Sequence, residues 1–260
     1  MLRGIDHLVI AVADLETAAD ELTAQVGLAC TAGGRHPDAG TINRIAFLGE
    51  AYVELIAVED EKRAANGPVG TAVLRALDAS VGLATYALVD DALDATVARL
   101  QAKGRAIGPV THGSRQRPDG EMVEWWVATL ERLGIDSPPF LIRHAPVGVE
   151  WGVAAVRQRR ELVHPIGSPA VLLGLAIAVS DPTAVAAEYL AQLELEFRMV
   201  DDLAVCALGP HTIRILPDHH PDMPAAIVIG AGVAAPRSVS ALGLRFDIQP
   251  VSPVALGGDV

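Results

Sequence analysis

Apolar and polar residues alternate along the first stretch of the chain, which runs from Ile5 to Val12. Successive side chains of a β-strand point to opposite faces, so this alternation places His7 on the face opposite to Leu8 and Ile10. After Asp14 the pattern changes to helical spacing, with apolar residues that recur every three or four positions. The two patterns predict a strand whose Leu8 face is covered by a helix and whose His7 face is left uncovered.

Turn-forming residues and short apolar strands complete this first unit. Gly27 is the expected end of the helix. A loop rich in glycine, residues 33–40, precedes the predicted strand Thr41–Leu48. The unit closes with a strand over residues 51–56, in which Glu54 lies on the face that the helix does not cover. The sequence therefore predicts that an imidazole and a carboxylate converge on one concave surface.

The same strand and helix pattern recurs in the second part of the chain without its two polar side chains. When the helix starts and the helix-ending glycines of the two copies are aligned, Ala84 takes the position of His7. The last strand of the copy offers Leu141 or Ile142 at the position of Glu54. All three replacements are apolar, so the second copy is not expected to repeat the chemistry of the first.

A third copy of the pattern begins near residue 170. Its strand, N-cap and helix repeat those of the first copy, and its last strand repeats the closing strand after a shorter loop. Gly174 takes the position of His7, and Arg214 takes the position of Glu54. The third copy is therefore expected to stabilise, close or dimerise the first pair of units.

Repetition of βαβββ units determines the expected architecture. One unit leaves a sheet face and edges bare, whereas two units pair into a cup with a shielded inner face. We predict an α+β protein in which repeated βαβββ modules form a curved mixed sheet with helices on the outside. Residues 1–150 are expected to hold the paired modules and the site. A linker is predicted at Glu59–Pro68, and residues 165–260 are expected to hold the degenerate third module and extra strands at 225–229 and 241–248.

Composition narrows the kinds of partner that this protein is expected to have. The 260 residues are 51% hydrophobic and carry a formal net charge of −12. An acidic chain disfavours nucleic acid and anionic membranes, which both recruit basic patches. Cys30 and Cys206 give no disulfide framework, and the longest apolar run, Pro169–Val179, is too short to span a bilayer. We expect a cytoplasmic protein that binds neither nucleic acid nor a membrane.

Three segments carry a resemblance to a known superfamily, namely GIDHLVIAVADLETAADEL, GGRHPDAGTIN and YVELI. They resemble the first module of the vicinal oxygen chelate superfamily, in its glyoxalase-like branch, and the resemblance extends over residues 4–145. It implies that His7 and Glu54 are metal ligands. An imidazole and a carboxylate suit Zn, Fe, Mn or Ni. A hydrogen-bonded pair that lines a polar pocket is the other interpretation.

Two protein ligands bind a divalent ion weakly, so a third ligand is also expected. In metal-dependent members, both modules or both subunits contribute ligands. His36, His144 or a residue of another chain in a homodimer would have to supply it here. If none does, the site holds no metal, as in members of the superfamily that bind small ligands without chemistry.

Five residues are predicted to contact a small-molecule substrate. His36 lies in a loop beside the strand that should border the cup, although most loop histidines are solvated. Arg115 and Arg117 precede a hairpin turn and are exposed by default, but at the rim of the cup one of them could hold a carboxylate or phosphate. Trp125 and Trp126 point to opposite faces of one strand, so one of them should form an apolar wall of the cup. The predicted substrate contacts are His36, Asn43, Arg115, Arg117 and Trp125.

Two functions follow from these residues and the resemblance. The first is a metal-assisted enzyme of the lyase, isomerase or dioxygenase type, in which the ion polarises two adjacent substrate oxygens and Glu54 moves a proton. The second is a metal-free protein that binds or sequesters a small molecule, with His7 and Glu54 as polar anchors. Nucleophilic catalysis and nucleotide binding have no support, because the sequence contains none of their motifs.

Overall fold

The computed structural model describes residues 2–130, 133, 135, 138–145, 159, 163–167, 170–218 and 225–251. The strands are β1 (Leu2–Ala11), β2 (Thr31–His36), β3 (Thr41–Leu48), β4 (Ala51–Val58), β5 (Leu83–Asp90), β6 (Thr111–Gln116), β7 (Met122–Thr129), β8 (Pro139–His144), β9 (Val171–Val179), β10 (Arg198–Val200), β11 (Leu203–Leu208), β12 (His211–Pro217), β13 (Ala225–Ala231), β14 (Arg237–Ala241) and β15 (Leu244–Pro250). The helices are α1 (Leu15–Glu21), which continues as a π-helical turn (Leu22–Val26), α2 (Glu61–Ala64), α3 (Pro68–Asp78), α4 (Leu93–Ala102) and α5 (Pro182–Leu193).

The first eight strands form a closed barrel in the order β1-β4-β3-β2-β6-β7-β8-β5. Strand β1 runs parallel to β4 and antiparallel to β5, so the two modules meet along it. The barrel closes where β2 meets β6, through the pairing of Arg35 with Gln116. The predicted α+β class with curved sheets is confirmed, and the expected cup is closed into a barrel.

Gly33 and Gly34 allow β2 to lie close to its neighbours. A Cβ atom on Gly33 would collide with the backbone of Asn43 on β3. A Cβ atom on Gly34 would collide with the carbonyl of Gln116 and the side chain of Arg115, both on β6. Only glycine permits such a close backbone approach within a sheet. The glycine pair of the predicted loop therefore belongs to a strand and helps to close the barrel.

The later strands form a second, open sheet of seven strands in the order β10-β11-β12-β9-β13-β15-β14. Strands β9 and β12 are parallel, and Arg214 pairs with Ala176 as Glu54 pairs with Val9 in the barrel. This strand pairing agrees with the alignment of the third copy with the first. Strands β13, β14 and β15 extend this sheet in the way that the second module extends the first, but with no helix between β13 and β14.

One apolar core joins the barrel to the open sheet. It contains Leu8 and Leu88 from the barrel together with Ile213 and Phe246 from the open sheet. Tyr189 on α5 belongs to the same core, so the helical layer is shared. The division into residues 1–150 and 165–260 stays a prediction. None of the helices in the described ranges is long and apolar enough to cross a membrane.

Two buried imidazoles from later parts of the chain also contact the first module. Nδ1 of His211, on β12, accepts a hydrogen bond of 3.0 Å from the backbone N–H of Ile5. Nδ1 of His164 accepts from the N–H of Ala29 at 3.0 Å, while its Nε2 lies 2.7 Å from the carbonyl of Phe47. Burial lowers the pKa of both histidines, and that of His211 falls to about 4 although nearby carboxylates oppose the change. Both contacts require the neutral form of the ring.

The predicted linker contains ordered helix. Helix α2 forms within Glu59–Pro68, and the side chain of Asp60 caps it by accepting a hydrogen bond from the N–H of Arg63. Pro68 then occupies the first turn of α3, where its missing N–H costs no helical hydrogen bond. These two local signals explain why a charged segment with Gly and Pro is helical at both ends.

Candidate functional site

Side chains from β1 and β4 line the interior of the barrel. On β1, Leu8 belongs to the helix-covered core, whereas His7 contacts residues of the interior. On β4, Val53 and Leu55 belong to the same core, and Glu54 points the other way toward His7. Only 4% of His7 and 6% of Glu54 are exposed. The alternation of the two strands thus brings both groups into one enclosed space.

His7 and Glu54 face each other across the parallel strand pair. Nε2 of His7 lies 3.4 Å from Oε2 of Glu54. The imidazole stacks on the ring of Tyr52 with 4.5 Å between centroids, and its edge meets Phe140 at 5.5 Å. These two aromatic contacts hold the plane of the imidazole in a fixed orientation.

Two of the predicted substrate contacts lie beside Glu54. The side-chain amide of Asn43 donates a hydrogen bond to Oε1 of Glu54. Its oxygen accepts a hydrogen bond of 2.7 Å from the N–H of Gly34, which fixes the orientation of the amide. Nε2 of His36 lies 3.9 Å from the same Oε1 atom. Asn43 and His36 therefore approach the carboxyl group of Glu54 at Oε1, whereas His7 approaches it at Oε2.

His36 is a buried, neutral group of the interior. Its Nδ1 lies 2.8 Å from the hydroxyl oxygen of Thr41. Burial is the main cause that lowers its pKa to about 4; Glu54 opposes this change, and the charges of Arg115 and His7 add to it. The imidazole of His36 therefore acts as a hydrogen-bonding group rather than as a cation near neutral pH.

Asp6 is a functional candidate that sequence reasoning missed. Its Oδ1 lies 2.7 Å from Nδ1 of His7, and both of its oxygens lie 3.0 Å from Nε2 of His144. Burial raises the pKa of Asp6, but the charge of His144 and the hydrogen bonds from both imidazoles outweigh burial and hold that pKa below its ordinary value. The position of Asp6 directly before a predicted functional histidine is the sequence feature that could have identified it as a candidate.

The other predicted residues divide between the interior and the rim. Trp125 lies inside, edge-on to His36 with 5.8 Å between centroids, and Trp126 packs on the helix side, as their opposite orientation predicted. Arg115 is buried, and its charge acts on His36. Arg117 is partly exposed and pairs with the aspartate two residues after it in the turn. Contact of a substrate with these residues stays a prediction.

The second module contributes an apolar wall at the positions where the first has its polar pair. Ala84, Phe140 and Ile142 belong to one apolar cluster of the interior. Leu141 packs in the helix-covered core, so Ile142 is the residue of the two that faces inward. The second module therefore presents apolar side chains to this part of the interior.

The donors in the barrel match part of a metal site. Neighbouring ligands of a tetrahedral divalent ion lie about 3.4 Å apart, because each is about 2.1 Å from the ion. The separation of Nε2 of His7 and Oε2 of Glu54 is 3.4 Å. Within the described ranges, no group of three or more His, Cys, Asp or Glu side chains is placed to hold an ion. The spacing of these two donors alone is that of neighbouring ligands of one ion.

A closed barrel of two βαβββ modules, with a histidine on the first strand facing a glutamate on the fourth, defines a protein of the vicinal oxygen chelate fold. A family model described as a glyoxalase-like domain matches residues 5–193. The chain belongs to this family. The resemblance noted in the sequence is therefore confirmed.

Solved structures show the same fold at low sequence identity. A hypothetical protein from Staphylococcus aureus superposes with a TM-score of 0.79 at 15% identity, over 95% of this chain and 99% of that chain. A mutant of 4-hydroxymandelate synthase from Streptomyces coelicolor gives a TM-score of 0.52 at 16% identity, over 89% of this chain and 72% of that chain. No curated protein sequence matches the chain significantly.

Proposed function

We propose that this protein is an enzyme of the glyoxalase-like type that acts on a small oxygen-bearing molecule inside the barrel. A divalent ion, with Zn, Fe, Mn and Ni as the suitable metals, would be held by His7 and Glu54. The reaction would be of the lyase, isomerase or dioxygenase type. Dimerisation also stays a prediction from the sequence.

The contact between His7 and Glu54 carries this proposal. Two polar groups, from strands that are far apart in sequence, approach to 3.4 Å in the interior of a barrel. Burial of an imidazole and a carboxyl group costs free energy unless both are paired or bind a ligand. A separation longer than an ordinary hydrogen bond favours a shared ligand, since N–H···O hydrogen bonds cluster at about 2.9 to 3.0 Å.

The residues of the site would have distinct tasks. When bound, the ion would supply Lewis-acid polarisation of two adjacent substrate oxygens. Glu54, whose Oε2 faces His7, or a displaced water would accept the proton that leaves the substrate. Asn43 would hold the other oxygen of Glu54 in place through its amide hydrogen bond. The enclosed barrel would exclude water from the reacting groups.

The lining of the barrel favours a substrate with both a negative and an apolar part. Arg115 supplies a buried guanidinium near His36, which suits recognition of a carboxylate or phosphate. Trp125, Phe140 and the aliphatic residues of the second module supply an apolar wall. His36, neutral near pH 7, would donate or accept one hydrogen bond at the boundary between these parts.

Metal analysis of purified protein tests this proposal. The protein would be produced with added divalent metals, desalted and analysed by mass spectrometry for bound metal per chain. We expect close to one ion in the wild type and a large loss in His7→Ala and in Glu54→Ala. His112 and Glu124 form a matched pair on the outside, 3.0 Å apart and about half exposed. The variants His112→Ala and Glu124→Ala should keep the metal, and loss in all four variants would contradict the assignment.

A metal-free binding protein is the second candidate function. It is favoured by the apolar residues Ala84, Phe140 and Ile142 on the second module, which leave only the first module with polar groups at these positions. In that case His7 and Glu54 would anchor a small polar group of the ligand through hydrogen bonds. A wild-type protein that binds no ion at any tested concentration, but binds a small carboxylated ligand in a Glu54-dependent way, would support this function instead.

A further inference from the structure

A buried carboxylate next to the proposed site contacts two imidazoles at once. Oδ1 of Asp6 lies 2.7 Å from Nδ1 of His7, and both carboxylate oxygens of Asp6 lie 3.0 Å from Nε2 of His144. All three side chains are at least nine-tenths buried. The proposed function uses His7 and Glu54 but gives Asp6 no task.

An irregularity in β1 accompanies this contact. Asp6 and His7 are consecutive and would point to opposite faces of a regular strand. The pairing of β1 with β5 shifts register between Ile5 and His7, and such shifts disturb the strict alternation of side chains. The local backbone thus lets the two side chains hydrogen-bond to each other instead of diverging.

The hydrogen bond to Asp6 determines that Nε2 of His7, and not a ring carbon, faces Glu54. Stacking on Tyr52 holds the plane of the ring, but a half-turn about the Cβ–Cγ bond would exchange Nδ1 with Cδ2 and Nε2 with Cε1. A carboxylate only accepts hydrogen bonds, so Nδ1 of His7 must carry the hydrogen. Whenever the ring is neutral, its lone pair is therefore on Nε2, the atom that lies 3.4 Å from Glu54.

We propose that Asp6 is a positioning residue, which fixes the ring and the tautomer of His7 so that the lone pair of Nε2 faces Glu54. His144 supports this arrangement by donating a hydrogen bond from Nε2 to the carboxylate of Asp6. The inference rests on the proposed function for its purpose, since such a lone pair serves to bind an ion or a substrate proton. Outer carboxylates that orient a ligating histidine typically change metal affinity by 10- to 100-fold when they are removed.

The assignment gives His144 a different task from the one predicted for it. As a metal ligand, His144 would have to turn a nitrogen toward Glu54, whereas its Nε2 lies on Asp6. The two roles make different predictions. Loss of a ligand should remove metal binding as completely as His7→Ala does, and loss of a support should weaken it only in part.

The tautomer of His7 can be measured directly by NMR. Long-range ¹H–¹⁵N spectra of ¹⁵N-labelled, metal-free protein at mildly alkaline pH distinguish a ring protonated at Nδ1 from one protonated at Nε2. We expect His7 of the wild type to be protonated at Nδ1, and the variant Asp6→Ala to populate the Nε2-protonated form as well. The control Asp91→Ala, which removes an exposed carboxylate paired with Arg3, should leave the His7 signals unchanged.

Two NMR results would overturn the proposal. One is a wild-type His7 protonated at Nε2, which decides the matter even if Asp6→Ala does not fold. The other is an unchanged tautomer in a folded Asp6→Ala variant. Neither result depends on whether the protein binds a metal, so the positioning role is tested separately from the proposed function.

Titration with Co²⁺, followed by its visible absorption, tests the consequence for metal binding. We expect Asp6→Ala to weaken binding by about 10- to 100-fold, and His144→Gln to weaken it by less than His7→Ala does. Equal affinity in the wild type and in Asp6→Ala would overturn the positioning role. Loss in His144→Gln as complete as in His7→Ala would make His144 a ligand and overturn its supporting role. A wild type that binds no Co²⁺ would contradict the proposed metal site, while the NMR result would still decide the role of Asp6.

Discussion

Acid should weaken the connection between the barrel and the open sheet through His211. Its Nδ1 accepts a hydrogen bond from the backbone N–H of Ile5, so a proton on Nδ1 would place two donors against each other. The variant His211→Asn keeps an acceptor oxygen close to the position of Nδ1 but does not titrate. We therefore expect the stability of this variant to depend less on pH than that of the wild type.

The pKa of His211 gives the size of the effect. Burial lowers it from 6.5 to about 4, against the opposing charges of Asp6 and Glu50. The unfolded chain binds a proton in this range that the folded chain does not bind, so the contribution is complete above pH 6.5 and is lost as the pH falls to about 4. A difference of one pKa unit corresponds to about 1.4 kcal/mol, so His211 contributes about 3 kcal/mol to the free energy of unfolding over the interval from pH 6.5 to about 4.

Urea unfolding followed by circular dichroism at several pH values measures this difference. Between neutral pH and about pH 4, the wild type should lose about 3 kcal/mol more stability than His211→Asn. His112→Asn, which changes a partly exposed imidazole outside the barrel, controls for the loss of a histidine as such. Stability curves for the wild type and His211→Asn that run parallel over the whole interval would refute the argument.

Three further substitutions have defined outcomes. Asn43→Ala should lower the free energy of unfolding by about 1 to 3 kcal/mol in urea titrations, because it removes the donor to Glu54 and leaves the N–H of Gly34 without its acceptor. Phe140→His should raise the affinity for Co²⁺ in spectroscopic titration, since it replaces an apolar ring that touches His7 with a third nitrogen donor; an unchanged affinity would contradict the proposed position of the ion. Tyr189→Phe should lower the free energy of unfolding by about 1 to 3 kcal/mol, because it leaves the buried hydroxyl of Tyr86 on β5 without its hydrogen bond. Replacement of both tyrosines by phenylalanine should lower it by less. Melting temperatures of the two variants would show the difference.

Local patterns were sufficient to predict the modules and the faces of their strands. Alternation on β1 from His7 onward and on β4 put His7 and Glu54 on the uncovered face, and these residues do meet in the interior. The opposite orientation of Trp125 and Trp126 followed from the same rule. Alternation depends only on neighbouring residues in the sequence. A register slip of one residue would move the buried apolar side chains to the other face of the sheet, so the face that each residue occupies can be predicted from the sequence.

Long-range pairing and strand irregularity could not be predicted from the sequence. Closure of the barrel depends on Arg35 meeting Gln116, two residues that no local pattern connects. The role of Asp6 depends on a register shift between β1 and β5, because regular alternation would direct it away from His7. The direction of His144 was equally hidden, since its partner lies on a strand from the other module.

The first and third copies differ in how far their sheets enclose the equivalent positions. In the barrel, both modules enclose the space that His7 and Glu54 share. In the open sheet, Gly174 and Arg214 take the equivalent positions, and Arg214 is exposed. The polar pair is thus present in the first copy, whereas the third copy has an exposed arginine at the position of Glu54. This agrees with a role for the third copy in support of the barrel.

We propose that His7 and Glu54 share one ligand in the interior of the barrel. Anomalous diffraction from a crystal soaked in Co²⁺ locates a bound ion independently of the positions of the protein atoms. We expect one strong peak about 2.1 Å from both Nε2 of His7 and Oε2 of Glu54. A strong peak bound elsewhere, with none between these two atoms, would contradict it.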